Sequence, residues 1–165
     1  MKNTLFVATL ILLAAMSRII PHVPNFTPIC AIALFGGAKL KDGITAVLLP
    51  LVIMIISDAI IGFHSTMPYV YSSIVIISLI GMIIGNEATF KSTIYAMIAS
   101  TLIFFLITNF GVWYSLPDRN SQTLSQIYIL GLPFIKNSLM GNLFYVSLLF
   151  SIHYFVENRT NYLIK

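Results

Sequence analysis

The sequence predicts an all-α, polytopic membrane protein, a single integral domain over residues 1–165 built as a bundle of six transmembrane helices. Three observations carry that prediction. Of the 165 residues, 58% are hydrophobic and only 8% charged, and the mean hydropathy is +0.95, whereas soluble domains carry about 25% charged residues. The apolar residues fall into uncharged runs of a length that suits membrane helices. A chain of this size forms one domain, and its ends, "MKN" and "ENRTNYLIK", are too short to be others.

The first run, 5–20, follows Lys2 and resembles a secretory leader in outline, but Arg18 directly after the small residues Ala15 and Ser17 fits a cleavage site poorly, so it reads as the first span. "PHVPNFTP" (21–28) then interrupts the apolar sequence with three prolines and a histidine. The second span, 29–40, is short, about 18 Å at the usual helical rise. Pro28 heads it, where a missing N–H removes no helical hydrogen bond. Such a helix fits a bundle whose entrance is sunk below the membrane surface. Spans at 43–61, 69–84, 92–109 and 132–156 follow. The longest connection lies between the fifth and the sixth, and its middle, 123–130, reads as a helix or loop in the interface, with Trp113, Tyr114 and Tyr128 suited to the aromatic belt. Ala8 and Ala15 in the first span, and Ala33 with Gly37 in the second, mark close helix packing.

With the N-terminus in the cytoplasm, Lys2, Lys39, Lys41, Lys91, Arg159 and Lys165 lie inside, while Arg18, Arg119 and Lys136 lie outside. The excess of cations inside predicts a cytoplasmic-membrane protein with both termini cytoplasmic. The net charge of +4 is spread along the chain with no basic cluster, which excludes nucleic acid as a partner. The single Cys30 offers neither a disulfide framework nor a metal-type spacing and reads as a small buried residue. His22 and His64, with no Cys or Glu nearby, do not make a metal site, and no cofactor is expected.

On this topology the polar residues collect on the outer side. Arg18, Asp58 and Asn109 sit at the outer ends of spans one, three and five, and Lys136, Asn137, Ser138 and Asn142 in the outer half of span six. His22, Asn25, His64, Trp113 and Tyr114 lie in the joining loops. At about 100° per residue, Asn137, Ser138, Gly141, Asn142 and Tyr145 share an arc of about 140°. A polar face of that kind looks into a bundle, either to bond neighbouring helices or to meet a ligand. Asp58 is expensive near a membrane interior unless paired or hydrated, and Arg18 is the obvious partner. Either the two form a structural bridge, or they order a pocket and grip a zwitterionic or anionic solute through the planar guanidinium fork. Lys136 is placed to snorkel toward headgroups.

Arg18, "PHVPNFTPI" (21–29), "ALFGGA" (33–38), "SDAIIGFH" (57–64), "NFGVW" (109–113) and "PFIKNSLMGNLFY" (133–145) together resemble a family of small uncharacterised bacterial membrane proteins grouped with transport proteins. That family is in turn similar to the substrate-binding S components of energy-coupling-factor (ECF) transporters, and the resemblance runs from about residue 5 to 155. It implies a six-helix bundle that holds a vitamin-like or other small organic solute near its outer surface, working with an ECF coupling subunit and ATPases. It also implies that Arg18, His22, Asn25, Asp58, His64, Asn109, Trp113, Asn137 and Asn142 line the pocket. The sequence departs from the pattern in three places: the first span lacks an Ala-xxx-Ala pair, Asn142 stands where aspartate is usual, and Cys30 where glycine is common.

The functional expectation is a substrate-binding membrane transport protein and not an enzyme. No glycine-rich phosphate loop with its lysine occurs, so any ATP is hydrolysed by a partner. The alternative is a small intramembrane enzyme acting on a lipid or isoprenoid phosphate, with Asp58 or His22 as acid–base and Arg18 on the phosphate. Against it, there is no pair of acids, Ser/His/Asp set or metal motif in the chain.

Overall fold

The computed structural model describes residues 2–18, 23–85, 88–118 and 121–163. The order is α1 (Lys2–Met16), α2 (Ile29–Lys39), α3 (Gly43–Ile61), α4 (Met67–Ile84), α5 (Phe90–Tyr114) and α6 (Leu124–Leu163), with no strand among the described residues. Four helices, α3 to α6, are long and apolar enough to cross a membrane, whereas Thr4–Met16 and Ile29–Lys39 are shorter apolar helices. The outward surface is that of a membrane protein. Leu12, Leu13, Ile55, Ile56, Leu102, Leu106, Phe144 and Leu148 are all exposed, an apolar coat that soluble monomers avoid.

The shortest helix is the centre of the bundle. Every residue of α2 from Ile29 to Ala38 is buried, and α2 touches all five other helices. A helix enclosed by protein need not match the bilayer thickness, because its neighbours keep its ends out of lipid. Pro28 stands at its N-cap and accepts the first helical bond, Ile32 N–H to Pro28 O at 2.8 Å. Leu40 N–H closes the other end on Gly36 O. Asp42 then caps α3, accepting from Thr45 N–H at 2.8 Å. Within α3, Pro50 is fully buried beside Gly36, where an added Cβ would meet the proline ring at 3.1 Å.

The two longest helices extend beyond the expected spans 92–109 and 132–156. Thr89 and Ser92 start α5 with a reciprocal capping box, and it runs on to Tyr114. α6 begins at Leu124, with Pro133 inside it. Thr123 N–H donates to Gln126 Oε1 at 2.8 Å while Gln126 N–H returns to Thr123 Oγ1 at 3.3 Å, so "TLSQ" is itself a capping box. The first turns of α6 lean on α5, with Tyr128 OH donating to Leu106 O at 2.8 Å.

Candidate functional site

α1 gives way to a turn at Ser17 and Arg18, whose N–H groups bond Ala14 O and Ala15 O. From that turn the Arg18 side chain reaches α3. Its Nη2 donates to Asp58 Oδ1 at 2.8 Å, and its Nη1 to Ser57 Oγ and to Met54 Sδ. Tyr71 OH, from α4, donates to the second carboxylate oxygen, Oδ2, at 2.9 Å. The Asp58 side chain is 2% exposed and that of Arg18 10%. Taking two charges out of water costs several kcal/mol each, an outlay offset only by close geometry with the remaining lone pairs and protons occupied. Here both carboxylate oxygens have donors, so three helices are fastened at one buried, electrically neutral point.

The second cluster is built from α6 and the segment 23–28. Asn137 Nδ2 donates to Pro24 O at 3.1 Å. An added Cβ on Gly141 would lie 3.1 Å from both Phe26 Cα and Thr27 N, so glycine is what lets the segment lie on the helix. Phe26 packs against the rings of Phe144 and Tyr145 at about 6.0 Å, and Tyr145 OH accepts from Ser17 Oγ at 2.9 Å. Asn25 takes the left-handed conformation, φ 64°, which asparagine tolerates better than most residues. Beneath this segment, Asn142 is buried, donating to Thr101 Oγ1 at 2.9 Å and lining the same cavity as Cys30. Asn25, Thr27, Ile29, Cys30, Phe104, Ser138 and Asn142 enclose a cavity of about 60 Å³.

The expected site residues therefore separate. Arg18 and Asp58 form one cluster; Asn25, Asn137 and Asn142 form the other. Asn109 turns back on its own helix, donating to Phe105 O at 2.8 Å, with its Oδ1 close to Gly131. Trp113 stands in an aromatic group with Phe110, Tyr114 and Tyr69. His64 is exposed, its Nδ1 2.8 Å from Thr66 Oγ1. His22 lies outside the described residues. Among the described residues no three His, Cys, Asp or Glu side chains are grouped to hold a metal ion.

Two contributors, Tyr71 and Thr101, carry no distinctive sequence signal, whereas Ser57, beside Asp58, and Tyr145, on the polar arc of α6, stand where a pattern points. A family model described as a family of unknown function (DUF6580) matches residues 1–163. The chain belongs to this DUF6580 family. No curated protein and no solved structure matches it. As a DUF6580 member of this architecture, the chain offers two chemical resources at one end of its bundle, a self-neutralised ion pair and a small cavity walled by neutral hydrogen-bonding groups.

Proposed function

We propose that this protein is the solute-binding member of a bacterial membrane transport system, similar to an ECF S component, and that the Asn142 cavity marks the seat of a small organic solute. In this reading all six helices count as spans, both termini face the cytoplasm, and segment 23–28 closes the site on the opposite side. The observation that carries the proposal is the polar face of α6: Asn137, Ser138, Gly141, Asn142 and Tyr145 all meet either that segment, the cavity or the end of α1. Polar groups inside a membrane bundle are costly unless they serve packing or a ligand. Here they enclose space.

The cavity of about 60 Å³ is a closed form, since sites for small organic molecules occupy about 300–1,000 Å³. Among the described residues, 23–27 are held over it by one side-chain hydrogen bond from α6, the Phe26 ring contacts and the close approach to Gly141, while Pro28, buried at the N-cap of α2, is the fixed end about which the segment opens. Arg18–Asp58 serves the site indirectly, by fixing the end of α1 beside it. With no phosphate-binding motif in the chain, energy comes from partner ATPases through a coupling subunit.

The test is mass spectrometry of small molecules released from the purified protein, alongside Asn142→Leu and Asn137→Leu variants. The proposal expects a stoichiometric solute that Asn142→Leu loses while keeping its fold. It fails if protein from native membranes carries no solute and no variant changes uptake into vesicles.

A further inference from the structure

At the end of the bundle opposite Arg18 lies a second, much larger cavity of about 610 Å³, between the start of α5 and the second half of α6. Phe90 and Ile94 of α5 and Val146, Phe150 and Phe155 of α6 supply apolar walls, and Thr93, Ser147 and Ser151 supply hydroxyls. Lys39, at the end of α2, lines the cavity together with His153 and Glu157. His153 Nδ1 lies 3.4 Å from Glu157 Oε2, Lys39 is within electrostatic reach of both, and its Nζ stands 5.8 Å from the centre of the Phe150 ring. The cavity opens sideways, since Phe90, Ser147, Ser151, Tyr154 and Phe155 are exposed. In a membrane-spanning bundle, what lies beyond such an opening is lipid.

We propose that this cavity binds one zwitterionic aminophospholipid, with its acyl chain along the Ile94, Val146 and Phe150 wall and its headgroup at Lys39 and Glu157. The charge pattern selects the headgroup. A phosphate diester takes charge-assisted hydrogen bonds from an ammonium and hydroxyls, which Lys39, Ser147 and Ser151 provide. A primary ammonium in turn donates to a carboxylate, which Glu157 provides. A purely anionic head meets repulsion from Glu157, and an uncharged acylglycerol offers Lys39 and Glu157 no charged group to bind. The apolar walls in turn give a free headgroup nothing to gain, so the lipid and not the soluble phosphoamine is the ligand.

The experiment is native mass spectrometry of the whole protein in detergent, titrated with phosphatidylethanolamine, phosphatidylglycerol and phosphatidylcholine of identical chains, and with glycerophosphoethanolamine. The expected result is a single phosphatidylethanolamine adduct, about tenfold tighter than either other lipid, with no adduct from the chainless headgroup. Ser147→Trp, which fills the cavity from the exposed face of α6, and Lys39→Gln each weaken that adduct about tenfold, while Asn142→Leu leaves it unchanged. Phosphatidylglycerol binding as tightly as phosphatidylethanolamine overturns the headgroup assignment. Equal binding by glycerophosphoethanolamine overturns the lipid assignment, and an adduct unaffected by Ser147→Trp overturns the site.

Discussion

Gly37 of α2 and Gly81 of α4 meet backbone to backbone: a Cβ on Gly37 would lie 2.0 Å from Ser78 O and 3.0 Å from Gly81 Cα, and one on Gly81 would lie 2.3 Å from Leu34 O. Small residues let membrane helices approach this closely, and the obstructing atoms are main chain, which cannot swing aside. Gly37→Ala and Gly81→Ala are therefore each expected to destabilise by about 3 kcal/mol, at the upper end for overpacking. Gly43→Ala, whose new methyl meets only Met82 Cε at 3.8 Å, is expected to be near neutral. Thermal unfolding of the three variants in detergent checks the contrast.

Much of this architecture was legible because composition and punctuation agree. Pro28 and the polar run Lys39–Lys41–Asp42 bracket α2, and α2 and α3 form within a residue of the expected 29–40 and 43–61. The Arg18–Asp58 pairing was legible because a membrane tolerates few alternatives for a lone acid and a nearby cation. The start of α6 was not, because Gly131 and Pro133 suggest a break, whereas the Thr123–Gln126 capping box decides the start further upstream. Periodicity alone does not tell a polar side chain that bonds its own helix, as Asn109 does, from one that crosses to a neighbour, as Asn142 does. Tyr71 is likewise indistinguishable in sequence from an interfacial aromatic until α3 and α4 are packed together.

The buried ion pair makes an asymmetric prediction. Removing one partner leaves the other charged and enclosed, so Arg18→Ala and Asp58→Ala are each expected to cost about 3–5 kcal/mol. Arg18→Met combined with Asp58→Leu replaces both with apolar groups and is expected to recover most of that loss. Tyr71→Phe removes a single hydrogen bond to the carboxylate and is expected to cost about 1.5–3 kcal/mol. Unfolding measured across the single and double variants gives the coupling directly, and purely additive losses would contradict the pairing.

Ser78 and Ser100 are fully buried and their hydroxyls have no hydrogen-bond partner among the described residues. Burying such a group carries a desolvation cost of about 1–3 kcal/mol with nothing returned. Ser100→Ala is therefore expected to stabilise by about 1 kcal/mol. Ser57→Ala, which deprives the Arg18 guanidinium of an acceptor, is expected to destabilise. Two serines on separate helices, α3 and α5, thus shift the unfolding midpoint in opposite directions, and the same sign for both would contradict the hydrogen-bond assignments.

The cap of α3 makes stability depend on pH. The Asp42 carboxylate accepts from Thr45 N–H at 2.8 Å and from Thr45 Oγ1 at 2.5 Å, and the side-chain bond first, then the backbone bonds, hold its pKa below the ordinary value of 3.8. A depressed pKa means that the unfolded chain binds the proton more tightly, so the cap contributes fully above the unfolded value and is lost as pH falls through the lower, folded one. Asp42→Ala is expected to melt below wild type above about pH 5, where the carboxylate is ionised in both states. The gap is expected to narrow as the pH drops below about 4. Asp42→Asn keeps an oxygen acceptor at the N-cap but does not titrate, so its melting temperature relative to Asp42→Ala is expected to stay constant over the same range. A wild-type advantage that persists undiminished in acid would show that Asp42 acts on α3 by something other than its ionised carboxylate.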